Sequence, residues 1–261
     1  MDLQLTDKVC VVTGSSAGIG LETARLLAAE GARVVVNGRN QDAVAASAQE
    51  VGAALGVAAD MADPDAPATL IETAEQELGR VDCLVNNVGL ARQVDFLALG
   101  DDDWDELWQL NVMSYIRAIR AVLTGMRERG YGRIVNVSST AGKRPSTGMP
   151  DYTVTKAAVL SLSRLVADLY TKDGILCNAV TPGPTASPAW LAEGGLAEQA
   201  MAKSGKSRAE VLEAVGKGRP LGRLAEPAEI AAVIAFLCSE RASYVTGAAW
   251  SADGGTIPVI I

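Results

Sequence analysis

The sequence contains no histidine, which excludes every mechanism that needs an imidazole as a base or a metal ligand. Aromatic residues make up only 4% of the 261 residues. No apolar run approaches the roughly 18 residues that a membrane span needs, so we expect no membrane association. Basic residues are outnumbered, with 23 lysines and arginines against 31 aspartates and glutamates and a net charge of −8. Because nucleic-acid-binding domains normally carry a basic face, this balance argues against a nucleic-acid partner.

Cysteine is also scarce, and the four cysteines, Cys10, Cys83, Cys177 and Cys238, are far apart. Disulfide frameworks and metal sites use closer or patterned spacings. We therefore expect no metal site, and we expect buried, reduced thiols in a cytoplasmic protein. The N-terminal segment MDLQLTDKVCVVTG has no basic region ahead of an apolar stretch, so we also expect no signal peptide.

Apolar, β-rich runs alternate with alanine-rich helical patterns along the chain. Strands are predicted at 9–13, 33–37, 55–59, 83–86, 133–137, 176–180 and 248–251. Helical patterns lie between them at 19–30, 41–53, 65–79, 103–129, 152–172 and 227–239. Continuous apolar strands separated by helices are typical of a parallel sheet covered on both faces. We therefore predict a single α/β domain built on a Rossmann-type, doubly wound parallel sheet of about seven strands.

Residues 184–226 interrupt this alternation. The segment is rich in glycine, proline, alanine and lysine, and it contains no strong strand or helix pattern. Long irregular connections in compact domains are usually functional, so we predict a lid over the substrate. A plain surface insertion is the alternative.

A glycine-rich turn lies between the first strand and the first helix, in VCVVTGSSAGIGLETARLLAAEGARVVVNGRN. Its spacing differs from G-x-G-x-x-G, but the physical logic is the same. Glycines allow the backbone to approach a pyrophosphate, and the helix N-terminus offers N–H groups and a positive dipole end. We predict a dinucleotide site that involves Gly14, Ser15, Ser16, Gly18, Ile19 and Gly20.

The second strand ends in NGRN, where NAD-binding folds usually place a carboxylate for the ribose hydroxyls. Here Arg39 follows instead, and a guanidinium can hold a 2′-phosphate through paired hydrogen bonds. NADP(H) is therefore favoured, and NAD(H) is possible if Arg39 is only a solvated turn residue. Asp60 and Met61, after the third strand, are predicted on the adenine side, although Asp60 could equally cap a helix.

Four motifs, TGSSAGIG, NNVG, SST and YTVTK, follow one another in this order. The ordered set resembles the short-chain dehydrogenase/reductase family from Lys8 to the C-terminal ADGG. It is most similar to single-domain members labelled 3-oxoacyl-(acyl-carrier-protein) reductase. The resemblance implies an active site of Asn111, Ser139, Tyr152 and Lys156, with the neighbouring Ser138 as the alternative serine. It further implies cofactor contacts from Tyr152 and Lys156 and from Asn87, Gly89, Pro182, Gly183 and Thr185.

Tyr152 and Lys156 are four residues apart in a helical pattern, so they share a helix face. Lowering a phenol pKa from ~10 to about 7 takes roughly 4 kcal/mol, and one cation at about 4 Å supplies that much. Tyr152 is thus predicted to be the general acid or base of a protein without histidine. Asn111 lies inside a long helical pattern, and asparagine is a poor residue there, so a local irregularity of the helix is expected.

Three further features remain open at the sequence level. The acidic run GDDDWDEL is interpreted as a capped first helical turn rather than a metal site. Arg127, Arg129 and Arg133 could dock an acidic carrier protein or could form a solvated surface. The apolar tail GGTIPVII and the long helices, by the same resemblance, imply a homotetramer.

The predicted function is an NADP(H)-dependent oxidoreductase that interconverts a ketone and a secondary alcohol. Reduction of a 3-oxoacyl thioester is a narrower alternative, which the acidic surface does not favour. A dinucleotide-binding regulator that has lost turnover is the alternative from another class of protein. The expected partner is a small-molecule carbonyl or alcohol substrate.

Overall fold

The computed structural model describes residues 1–258. Seven strands form one parallel sheet in the order 3-2-1-4-5-6-7. They are β1 Val9–Val12, β2 Arg33–Gly38, β3 Leu55–Ala58, β4 Cys83–Asn86, β5 Gly132–Val137, β6 Ile175–Pro182 and β7 Ala249–Ala252. The predicted Rossmann-type sheet is therefore confirmed.

Helices connect the strands and cover both faces of the sheet. They are α1 Gly18–Ala29, α2 Gln41–Val51, α3 Ala66–Leu78, α4 Asp101–Trp108, α5 Ser114–Arg129, α6 Thr140–Lys143, α7 Pro150–Tyr170, α8 Pro188–Leu191, α9 Leu196–Ser204, α10 Arg208–Lys217 and α11 Pro227–Cys238. No helix within residues 1–258 is long and apolar enough to cross a membrane.

Two apolar clusters hold the helices to the sheet, and β2 shows how one strand serves both. Val34 and Val36 pack in the cluster that holds α1 and α11, whereas Val35 packs in the cluster that holds α3, α5 and α7. Successive strand residues point to opposite faces, so consecutive valines pack against the helices on both faces of the sheet. Each fully buried side chain of this kind contributes roughly 1.5–3 kcal/mol of transfer free energy.

The segment 184–226 differs from the sequence prediction. The predicted irregular stretch holds the helices α8, α9 and α10 instead. The last of these begins with a capping box in which Ser207 and Glu210 exchange side-chain and backbone hydrogen bonds. Its role as a lid stays a prediction.

The remaining sequence features fall into place within the fold. All four cysteines are buried free thiols. The acidic run caps α4, since Asp103 Oδ2 accepts a hydrogen bond from the Gly100 N–H at 3.0 Å. Of the apolar tail, Val259, Ile260 and Ile261 lie outside the described residues.

The carboxyl ends of the strands bring the predicted site residues to one edge of the sheet. The chain leaves β1 into the glycine-rich turn, β4 into Asn87, β5 into Ser138 and β6 into Gly183. The strand order reverses at β1, with β2 on one side and β4 on the other. In open α/β sheets, ligands bind in the crevice beside such a reversal.

Candidate active site

The glycine-rich turn is built for a close approach to the first turn of α1. Gly14 and Gly18 adopt left-handed φ angles of 61° and 57°. A Cβ on Gly20 would collide with the Gly14 carbonyl oxygen and would lie 2.5 Å from Asn87 Nδ2. The first turn of α1 starts after Ala17, which offers no side-chain cap, and it contains no carboxylate. Its N–H groups are therefore left to a ligand from outside the helix.

Asn87 fastens this turn to the end of β4. Its Nδ2 donates to the carbonyl oxygens of Thr13 and Gly14, both at 3.0 Å, and its N–H donates to Thr13 Oγ1 at 3.0 Å. The side-chain amide of Asn87 is thus committed to shaping the turn. Its predicted contact with a cofactor stays a prediction.

Three predicted cofactor residues turn their side chains into the protein. The Ser15 hydroxyl is fully buried, donates to Val12 O at 2.7 Å and accepts from Asn37 N at 2.9 Å. Met61 is buried in the core, and the Thr185 hydroxyl donates to Gly183 O at 2.9 Å. Any cofactor contact from Ser15 would therefore come from its backbone, and the cofactor roles of all three residues stay predictions.

Arg39 and Asp60 stay exposed at the ends of β2 and β3. A Cβ on Gly38 would lie 2.6 Å from Ser16 Oγ, so the end of β2 touches the glycine-rich turn. Arg39 therefore lies directly beside that turn. Asp60 Oδ1 accepts from the Ala62 N–H at 3.0 Å in the turn after β3. The next helix, α3, begins after Asp65, so Asp60 does not cap it.

Asn111 lies in a π-helical turn, Gln109–Met113, between α4 and α5. The predicted irregularity of the helix is confirmed. Asn111 Oδ1 accepts from Leu90 N at 3.0 Å, and Nδ2 donates to Leu90 O at 3.0 Å and to Thr155 Oγ1 at 3.1 Å. This fully buried amide joins the segment after β4 to the helix that carries Tyr152.

Ser138 and Ser139 point in different directions at the end of β5. Ser138 is buried, and its hydroxyl donates to Lys156 O at 2.7 Å. Ser139 is half-buried and accepts from the Ala141 N–H at 3.1 Å as the N-cap of α6. Its hydroxyl also lies on the side of the Tyr152 phenol and acts to lower the pKa of that group. The geometry therefore favours Ser139 over Ser138 as the serine of the site.

Tyr152 and Lys156 lie one turn apart on α7, with Lys156 Nζ 5.8 Å from the centre of the Tyr152 ring. Lys156 is 3% exposed, and its ammonium donates to Val137 O at 2.8 Å. A Cβ on Gly89 would lie 3.2 Å from Lys156 Nζ, so the missing side chain keeps the lysine approachable. Pro182 and Gly183 end β6 at the same edge of the sheet.

Comparisons with known proteins find relatives that match nearly the whole chain. A family model described as enoyl-(acyl carrier protein) reductase matches residues 14–256. The chain is 37% identical to an uncharacterized oxidoreductase of Bacillus subtilis over 98% of this chain and 99% of the relative. It is 32% identical to the 3-oxoacyl-(acyl-carrier-protein) reductase of Escherichia coli, over 95% of this chain and 96% of that protein.

Among solved structures, L-sorbose reductase from Gluconobacter frateurii, complexed with NADPH and L-sorbose, superposes with a TM-score of 0.93. The two chains are 35% identical and each is covered completely. The chain belongs to the short-chain dehydrogenase/reductase family. As a member, it is an oxidoreductase that acts on carbonyl and alcohol groups.

The electrostatics of this dehydrogenase/reductase bear on one sequence expectation. Burial lowers the pKa of Lys156 to about 7. Burial also raises the pKa of Tyr152 above its usual value, and the Ser139 hydroxyl works in the opposite direction. In the protein without cofactor, burial therefore opposes the lowering of the phenol pKa that the spacing predicts, and the role of Tyr152 stays a prediction. Sequence spacing gives the face that two residues share, but it does not give the cost of burying their charges.

The lowered pKa of Lys156 predicts how the unfolding free energy depends on pH. A lysine whose folded pKa lies below its usual 10.5 binds fewer protons in the folded than in the unfolded chain between those values. Stability from this group therefore rises with pH across that window and is lost as pH falls towards about 7. Relative to Lys156→Met, the wild type should gain roughly 2 kcal/mol in unfolding free energy from about pH 7 to about pH 9.

Urea denaturation of both proteins at the two pH values measures this gain. Lys172→Met, at an exposed lysine beyond α7, is the matched control. Relative to Lys172→Met, the wild type should show no such gain in unfolding free energy. An unfolding free-energy difference between wild type and Lys156→Met that stays constant with pH would contradict the burial argument.

Tyr115 is a residue of this site that sequence reasoning missed. It lies on α5, four residues after Asn111, and it is fully buried. Lys156 Nζ lies 3.5 Å from its phenol oxygen. The same four-residue spacing that singled out Tyr152 and Lys156 was available here as a signal.

Proposed function

We propose that the protein is an NADP(H)-dependent reductase that interconverts a ketone and a secondary alcohol, with Tyr152 as the proton donor. The observation that carries this proposal is the grouping of Ser139, Tyr152 and Lys156 at the edge of the sheet where the glycine-rich turn lies. The Ser138 hydroxyl donates to the Lys156 carbonyl, whereas the Ser139 hydroxyl acts to lower the pKa of the Tyr152 phenol. The L-sorbose reductase with bound NADPH supports both the reaction class and the cofactor.

The residues present fit a dinucleotide. The uncapped first turn of α1 would hold the pyrophosphate, and the missing side chain of Gly89 leaves the Lys156 ammonium approachable for the ribose. Lys156 would donate to the nicotinamide ribose. NADPH supplies the hydride for the carbonyl carbon.

The protein residues perform the proton chemistry. Tyr152, with its pKa raised by burial, is protonated at neutral pH and can donate its proton to the carbonyl oxygen. Ser139 hydrogen-bonds the same oxygen and stabilises the negative charge that develops on it. The carbonyl thus gains a hydride at carbon and a proton at oxygen, which gives the alcohol. In the reverse direction Tyr152 takes the proton back, and a charged Lys156 nearby favours that step.

Arg39 supports NADP(H) over NAD(H), because it is exposed beside the glycine-rich turn where a 2′-phosphate would lie. We expect Arg39→Glu to raise the KM for NADPH about 10- to 100-fold, since a charge-assisted bond is lost and repulsion replaces it. The KM for NADH should change less or fall. Initial rates with both cofactors measure this, and Arg120→Glu, at an exposed arginine of α5, controls for charge. Equal effects on the two cofactors would sink the assignment of Arg39.

The reaction class is tested by following NADPH oxidation with a panel of simple and cyclic ketones beside acetoacetyl thioester. We expect turnover with free ketones. Fast turnover only with the thioester would favour the 3-oxoacyl alternative, which the Escherichia coli relative represents. The ion pairs of two arginines that could dock an acidic carrier protein disfavour that alternative. Arg127 pairs with Asp173 at 2.8 Å and the buried Arg133 pairs with Glu240 at 3.0 Å, so both charges are already compensated within the chain. Absence of turnover with every carbonyl would favour a non-catalytic regulator.

A homotetramer and a cytoplasmic location remain predictions. Light scattering coupled to size-exclusion chromatography tests the first, and a mass of one chain would contradict it.

A further inference from the structure

Lys156 is a buried cation that has no carboxylate for a partner. No ion pair within residues 1–258 involves its ammonium. Its only hydrogen-bond acceptors in that part of the chain are Val137 O at 2.8 Å and the Tyr115 phenol at 3.5 Å. A buried charge needs hydrogen bonds to remain charged, so the identity of these two acceptors determines the state of the lysine.

The hydrogen bonds of Tyr115 are arranged around the ammonium. Its hydroxyl lies 2.9 Å from Val88 O and 3.1 Å from Val137 O. A phenol has one proton, so it donates to one of these carbonyls at a time. Val137 O already accepts from Lys156. Donation to Val88 O therefore leaves the phenol oxygen free to accept from Lys156.

We propose that Tyr115 is a positioning residue that holds the charged Lys156 beside Tyr152. Its proton is tied to the Val88 carbonyl, and its oxygen accepts from the lysine. This role rests on the proposed function in one respect only, namely that Lys156 acts on Tyr152 during proton transfer. The position of the ammonium itself does not depend on which substrate is used.

Tyr115 acts as a fixed dipole rather than as a second acid. Complete burial raises its pKa well above the usual value, and the neighbouring Tyr152 raises it further. The titratable groups that face Lys156 are thus two phenols. Other charges near α7 are engaged elsewhere, since Asp151 pairs with Arg92 at 2.9 Å and Lys143 on α6 donates to Ala249 O at 2.7 Å.

Loss of the Tyr115 hydroxyl should make the charged lysine less stable. A hydrogen bond to a charged group is worth enough to move a pKa by one unit or more, and this one is long. We expect the pKa of Lys156 to fall by about one unit in Tyr115→Phe. Because a charged lysine favours the tyrosinate, the apparent pKa for alcohol oxidation should rise in the same variant.

The direct test is a titration of lysine side chains by NMR, with carbon-13 at Cε, in protein without substrate or cofactor. Lys156→Met identifies the Lys156 signal by its loss. Tyr115→Phe should shift the midpoint of that signal down by about one pH unit. Tyr131→Phe is the matched control, because Tyr131 is a partly buried phenol just before β5, at the opposite edge of the sheet. It should leave the Lys156 midpoint unchanged.

An unchanged Lys156 midpoint in folded Tyr115→Phe would overturn the proposal. The other lysine signals in the same spectra report whether the variant is folded. If Tyr115→Phe does not fold, Tyr115→Met removes the same hydroxyl with a flexible side chain and takes its place.

Turnover, measured beside the lysine titration, separates this proposal from the proposed function. A shifted lysine titration in a protein without turnover would retain Tyr115 as the partner of Lys156 and would remove the reductase assignment. A normal turnover with an unshifted titration would retain the reductase assignment and would remove Tyr115 as the partner of Lys156. A loss of kcat with an unshifted titration would assign Tyr115 a packing role only, against the proposal.

Discussion

Tyr152→Phe should lower kcat for ketone reduction about 10²- to 10⁴-fold, the range that a general acid contributes. The ring and its packing on α7 stay, and only the proton that the carbonyl oxygen must receive is lost. Without histidine in the chain, no imidazole can take over the step. NADPH affinity, measured by fluorescence titration, should change little, because the phenylalanine ring occupies the same space.

Tyr170→Phe is the control for this substitution. It removes the same hydroxyl from the same helix, eighteen residues further along, and it should leave kcat unchanged. A Tyr152→Phe protein that retains more than about a tenth of the wild-type kcat would show that another group donates the proton. An equal biological effect of the wild-type and Tyr152→Phe genes would favour a dinucleotide-binding regulator.

The second large effect is expected from a pair of adjacent serines. Ser139→Ala should lower kcat about 10²- to 10³-fold, because it removes the hydrogen bond to the oxygen that becomes negative. It also removes the N-cap of α6, at about 1 kcal/mol of unfolding free energy. Ser138→Ala should instead lower stability by about 1 kcal/mol and leave kcat nearly unchanged, because it removes only the buried hydrogen bond to the Lys156 carbonyl.

Steady-state kinetics and urea denaturation of both alanine variants give different results for the two serines if this assignment is right. Ser139→Ala then loses both kcat and unfolding free energy, whereas Ser138→Ala loses unfolding free energy and keeps most of its kcat. A larger kcat loss in Ser138→Ala would reverse the choice that the hydrogen-bond geometry supports.

The sequence predicted the sheet well because its strands leave little ambiguity. In β2, three valines follow one another, and a run of that kind is typical of a strand between two helical layers. The π-helical turn could also be predicted, since Asn111 is a residue that competes for backbone hydrogen bonds. In both cases a local property of the residues decides the structure.

The segment 184–226 was misjudged because its helices are short and alanine-rich, without a clear apolar stripe. The S-x-x-E pattern of Ser207 and Glu210 was a readable start signal for α10 and was overlooked. The hydrogen-bond acceptors of Lys156 could not be predicted from the sequence. They come from α5 and from the end of β5, and only the folded chain brings them to α7.

The burial of every cysteine gives the molecule a practical property. Because all four native thiols are buried in the folded chain, reagents that seek thiols meet none at its surface. A cysteine placed by mutation at an exposed site, such as Lys206 in the segment 184–226, would be a unique handle without any prior removal of native residues. A spin label or fluorophore attached there would report whether that segment moves when a ligand is added. The wild-type chain can therefore be labelled at one introduced cysteine while its four native cysteines stay in place.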